Sequence, residues 1–220
     1  MAFIGKKPTD APLTSSDVAD GIITNAKLAQ DIISADTALG AAPADTDEFL
    51  VSDSGVLKRM DYSYIKTASA VVDLWRISAT ATGEQDPISS NWERADEDGA
   101  GVIGTGMTES SGIFTFPSTG IWRIEFLAYF YYNGDNRGIT CDLETTTDGS
   151  SYDRAASAAV FIQQTSSNNT YSGGYCTFIM DVTNTSTHKV QFHAGAASIN
   201  VYGATNDNAT MGVFTRLGDT

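Results

Sequence analysis

Between residues 121 and 132 every second side chain is apolar. Trp122, Ile124, Phe126, Ala128, Phe130 and Tyr132 share one parity, the one a β-strand turns toward a core. Ile121, Arg123, Glu125, Leu127, Tyr129 and Tyr131 share the other. That second set still carries a leucine and two tyrosines, so the strand is covered in part on both faces. Tyrosine joins a large contact area to a polar tip, which suits a subunit contact; neighbouring loops are the other way to cover such a face. Shorter aromatic and β-branched runs predict further strands at 73–80, 88–95, 112–116, 138–147, 155–164, 173–182, 189–194, 198–202 and 210–217. Turn signals separate them at Asp98-Gly99, Asn133-Gly134-Asp135, Asp148-Gly149 and Asn206-Asp207-Asn208. Strands at this spacing predict an all-β sandwich, a jelly roll, over residues 72–220.

The first third of the chain reads differently. Residues 1–71 are rich in Ala, Asp, Thr and Ser and poor in aromatics. Isoleucine pairs recur at 22/23 and 32/33, as in an extended fibre-like repeat; Val18, Ile22, Ala26, Ala29 and Ile33 also satisfy a helical stripe. Either way the apolar face is too small for an independent core. Two short runs, 48–52 and 56–60, flank Asp53-Ser54-Gly55 and predict a hairpin with a three-residue, bulged connection. A lone hairpin is marginal in water, so this part needs a covering partner. The chain is thus expected to divide into an arm at 1–45, a hairpin or linker at 46–71, and a head at 72–220.

Charge narrows the partners. The net charge is −14. Up to Val71, 6 Lys+Arg stand against 10 Asp+Glu; beyond it, 7 stand against 17, so both parts are acidic. Neither offers the basic stripe a phosphate backbone requires, which argues against nucleic acid and equally against an anionic membrane surface. With charged residues at only 18%, the surface is largely Ser, Thr, Asn and Gly, as is common outside cells. The start of the sequence lacks a cationic segment leading into an apolar run. The expectation is a protein made in a host cytoplasm and released by lysis.

Residues with chemistry are few. Cys141 alternates with Ile139 and Leu143, and Cys176 with Phe178 and Met180, which predicts buried thiols acting as small hydrophobes. His188 falls at a turn. His193 lies on the opposite parity and is expected to be exposed, so the two are not expected to share a metal. Asp96-Glu97-Asp98 reads as a solvated acidic turn, since its spacing does not fit a calcium loop. Asp142 and Glu144 sit on the outward parity of one strand; without an enclosed site they predict no acid–base pair. No Gly-x-Ser-x-Gly elbow and no phosphate-cradling loop occurs. The sequence therefore predicts no enzyme, no catalytic residues, no cofactor and no metal.

Two stretches resemble known families. The segment 112–126, GIFTFPSTGIWRIEF, and the ending 211–217, MGVFTRL, are similar to strands of the complement/tumour-necrosis-factor-like trimeric jelly rolls. That resemblance implies a homotrimer with the last strand near its axis. Residues 13–28, LTSSDVADGIITNAKL, look like linker repeats of bacteriophage tail-fibre proteins, and 46–66, TDEFLVSDSGVLKRMDYSYIK, resembles a segment of fibre-like proteins of marine phages. This implies a virion structural protein: a short trimeric fibre or spike, docked on other virion proteins by its arm, whose head binds a host-surface glycan or protein. The polar loops 163–172 and 206–209 are the candidates for that binding. A capsid or tail decoration protein that touches no receptor uses the same parts, and a short polysaccharide depolymerase spike is the third alternative.

Overall fold

A computed structural model describes residues 18–19, 37–66, 70–97 and 99–220. The chain divides into two units, Met1–Lys66 and Thr67–Thr220. In the first, β1 (Glu48–Asp53) and β2 (Val56–Asp61) pair antiparallel and a 3-10 turn follows at Tyr62–Tyr64. The expected three-residue bulged connection is instead two residues long. Asp53 pairs directly with Val56, and Ser54 and Gly55 both take positive φ, 53° and 84°. Such a turn matches the right-handed twist of the strands, and Gly55 adopts it without strain. None of the described side chains in this unit is buried, and Leu50 and Leu57 are largely exposed. The arm residues 1–17 and 20–36, with their helix-or-repeat pattern, lie outside the described residues.

The second unit is all-β among its described residues. Its strands are β3 (Val71–Ile77), β4 (Ala81–Thr82), β5 (Trp92–Arg94), β6 (Thr108–Ser110), β7 (Ile113–Thr115), β8 (Gly120–Tyr132) and β9 (Asn136–Thr146). Then come β10 (Asp153–Ile162), β11 (Thr170–Val182), β12 (Lys189–Gly195), β13 (Asn200–Val201) and β14 (Met211–Gly218). One sheet runs β11-β8-β14-β3-β5, with β13 and β4 beside the far end of β8; the other runs β10-β9-β12-β7-β6. Every pairing is antiparallel. If the eight frame strands β3, β7, β8, β9, β10, β11, β12 and β14 are counted one to eight, the sheets read 1-8-3-6 and 2-7-4-5. This interleaving, in which successive strands cross between sheets, is a jelly roll.

The predicted strands correspond to observed ones with shifted ends. Two short edge strands, β4 and β6, were not predicted, because two or three residues carry no readable alternation. The inward parity of β8 is as expected: Trp122, Ile124, Phe126, Ala128 and Phe130 are fully buried, and Tyr132 at the strand end is partly buried. Aromatic rings join the sheets. Phe126 of β8 stacks on Phe192 of β12 with centroids 4.5 Å apart, and Phe114 of β7 meets Phe214 of β14 at 5.0 Å. Such offset and tilted pairs add stability beyond the area they bury.

One glycine tests this packing directly. Gly112 begins β7's turn with φ 83°, and a Cβ there would stand 2.2 Å from the Ile88 carbonyl oxygen. Both the left-handed backbone and the close approach require glycine. Gly112→Ala is expected to cost ~2–4 kcal/mol, from strain plus overpacking, read as a lowered urea midpoint.

Candidate functional site

The outward face of the larger sheet is the most distinctive surface. Tyr131 pairs with Tyr171 across β8 and β11, Leu127 with Tyr175, and Arg123 with Ile179. The Tyr129 and Tyr171 rings stack at 5.6 Å, and Tyr202, just past β13, meets Tyr129 edge-on at 5.9 Å. The face of β8 is thus covered partly from within the unit. It is not closed: Tyr171, Tyr175 and Ile179 each remain about half exposed, at 53%, 53% and 51%. Tyr175 donates its hydroxyl to Glu125 at 2.6 Å, and that hydrogen bond raises the phenol above its ordinary pKa. The phenol therefore stays protonated and keeps this hydrogen bond.

The polar loops are placed as follows. Of the loop expected at 163–172, residues 163–169 form an exposed connection; Thr170, Tyr171 and Ser172 already belong to β11, and of these Tyr171 joins the tyrosine face. It is tied to the β8–β9 turn: Asn133 donates to the Ser167 carbonyl at 2.9 Å, and the Gln164 amide donates to Asp135 at 2.6 Å. In 206–209, Asn206 and Asp207 are exposed, whereas Asn208 donates to Glu97 at 3.2 Å and is partly buried. Only the outer half of that loop is free to meet a ligand.

The acidic turn is not simply solvated. Arg76, 1% exposed, pairs with Glu93 at 2.8 Å, with Asp96 at 2.5 Å and with Glu97. A buried guanidinium needs such partners, so these carboxylates are spent on it; Asp98 lies outside the described residues. Both cysteines are buried as expected, on facing sheets, with the Cys176 thiol 3.5 Å from the Cys141 carbonyl. The Cys176 thiol, and then burial, push the Cys141 thiol up, which keeps it protonated and inert. His188 has a threonine hydroxyl at each ring nitrogen, Thr183 at 3.3 Å and Thr187 at 3.2 Å.

His193 corrects the reading. Expected to be exposed, it is buried, because its outward neighbours form a polar layer over the smaller sheet. Asp142 stands directly across from it on β9, fully buried, and Glu144 stands across from Gln191. Strand parity placed these side chains on the outer face rightly. It could not show that the segment before β5 runs along β12, with Gln85 bridging Ala194, and covers them.

These features define a class: a two-sheet jelly roll with an aromatic outer face on its larger sheet. No family model matches the chain, and no curated protein does. Among solved structures it is similar to an Eiger TNF from S. frugiperda, at 11% identity over 70% of this chain and 96% of that one, with a TM-score of 0.47. It is also similar to murine APRIL at pH 8.5, at 14% identity over 67% and 99% respectively, with a TM-score of 0.41. The jelly-roll assignment stands on the strand order itself.

Proposed function

We propose that the chain is a non-enzymatic assembly and binding protein whose jelly-roll head trimerises through the outer face of its larger sheet. The observation that carries this is the open tyrosine face, with Tyr171, Tyr175 and Ile179 half exposed beside the Tyr129–Tyr131–Tyr202 cluster. Aromatic residues arrayed on a rigid sheet bring contact area at low entropic cost, as in the centre of stable interfaces. In its setting, the trimer is a short fibre or spike of a bacteriophage particle, docked by residues 1–45 on other virion proteins. Support for that setting is the resemblance of 13–28 and 46–66 to fibre segments, together with a hairpin that buries none of its own apolar side chains. The exposed loop 163–169 then faces a host-surface glycan or protein.

Sedimentation equilibrium of the full chain tests the assembly. A trimer is expected at micromolar concentration, and Tyr171→Glu combined with Ile179→Glu is expected to raise its dissociation constant by roughly 30-fold or more, the effect of losing at least one central contact. A monomer in both proteins would reject the reading. The virion setting is tested separately, by labelling intact particles with an antibody to the head and locating it by electron microscopy.

A further inference from the structure

The outer face of the smaller sheet lies away from the tyrosine face and carries a different chemistry. Two cross-strand rows run over β10, β9 and β12: Ser157–Asp142–His193 and Arg154–Glu144–Gln191. The segment before β5 extends the free edge of β12, since Gln85 bridges Ala194 and the Ile88 amide donates to Phe192 O at 2.8 Å. That brings Glu84 and Asp86 beside the imidazole. One ligand atom from each of Asp86, Glu144 and His193 lies within 4.8 Å of the others.

The hydrogen bonds around His193 point to a cation. Asp142 is fully buried; its Oδ1 accepts the Ser157 hydroxyl at 2.5 Å. Its Oδ2 accepts no hydrogen bond, lies at ion-pair distance from Arg154 (3.0 Å), and stands 3.4 Å from His193 Nδ1. A proton on Nδ1 is what this buried oxygen needs. Around Nε2 are the Thr140 hydroxyl at 3.4 Å and the Glu84 carboxylate oxygen at 3.2 Å. Nε2 and a carboxylate oxygen stand that close only with a positive charge between them, a second ring proton or a bound cation. Four carboxylates, Glu84, Asp86, Asp142 and Glu144, crowd this imidazole. Among the described residues Arg154 is the one arginine or lysine in ion-pair contact with any of them.

We propose that this face binds a divalent transition-metal ion of the zinc class, with His193, Asp86 and Glu144 as ligands. Glu84, whose side chain is 60% exposed, can swing in as a fourth. Asp142 is a positioning residue: it holds Nδ1–H and so aims Nε2, the arrangement in which ligating histidines are ordinarily held. Imidazole nitrogen with carboxylate oxygen suits zinc or manganese, whereas calcium takes oxygen alone. Metal–ligand bonds of ~2 Å require tetrahedral ligand atoms about 3.3 Å apart. The present spacing closes to that by rotation of exposed Asp86 and half-buried Glu144.

The test uses the full chain stripped with chelator and titrated with zinc chloride at neutral pH. The two histidines are followed by long-range nitrogen–proton NMR alongside calorimetry. One ion per chain is expected, with the His193 ring nitrogen shifting strongly and His188 staying in place. Asp86→Asn combined with Glu144→Gln should abolish binding, and Asp142→Asn should weaken it about 10–100-fold. Urea unfolding of each variant shows whether it is folded, and the wild-type NMR reading needs no variant. Absence of saturable zinc binding, an unchanged affinity in the double variant, or a His193 ring protonated on both nitrogens and indifferent to zinc would each overturn the site.

Discussion

Phe192→Ala is expected to lower the stability of the head by ~3–5 kcal/mol, the cost of emptying a core aromatic site. The ring is fully buried in β12 and touches both sheets: Phe126 at 4.5 Å, Phe114 at 5.5 Å, Trp92 at 5.6 Å and Phe214 at 5.9 Å. Its edge also fills the space above Gly212, where a Cβ would come within 2.9 Å of the ring. Five groups therefore lose a partner at once, and rigid strands on both sides cannot collapse into the gap. With a urea dependence of about 2 kcal/mol per molar, the midpoint should fall by roughly 2 M at unchanged slope. Protomer concentration must be held constant, because assembly adds to apparent stability. The exposed Phe161 is the control; its replacement by alanine should change the midpoint little. Equal effects at the two positions would contradict the sandwich.

Removing the carboxylate of Asp73 should cost about as much, for an electrostatic reason. Asp73 is fully buried on the inward parity of β3, beside Trp75. Its oxygens accept four donors, two of them from one guanidinium: Arg94 Nε at 2.8 Å and Nη2 at 3.0 Å, the Trp75 indole at 2.8 Å and the Met107 amide at 2.7 Å. Gly106 makes room for it, since a Cβ there would stand 2.3 Å from the carboxylate. Asp73→Ala strands an indole N–H and a buried amide together, while the Arg94 guanidinium, 42% exposed, turns to water. Each stranded donor costs ~1–3 kcal/mol. The loss should be local as well as global. Hydrogen exchange at Met107 should quicken more than at Ile124 in the middle of β8, because Asp73 pins the segment leading into β6 onto the first frame strand. Uniform quickening would show that the carboxylate serves the whole sandwich and not that anchor.

What could be read from the chain was whatever repeats at period two. The alternation in 121–132 marked its strand, its inward face and the unusual aromatic character of its outward face, and the same rule put Cys141 and Cys176 in the core. Charge sign and the absence of basic stripes are likewise properties of composition. Tertiary structure alone decided which strands are neighbours. Only with β12 laid against β9 does His193 face Asp142, and only with 84–87 on the free edge of β12 is that histidine covered. The buried charges Asp73, Arg76 and Asp142 left no local mark for the same reason. Parity assigns a side chain to a face; whether water reaches that face depends on segments far away in sequence. Burial of a charge is a fact about partners, and partners are set by the fold.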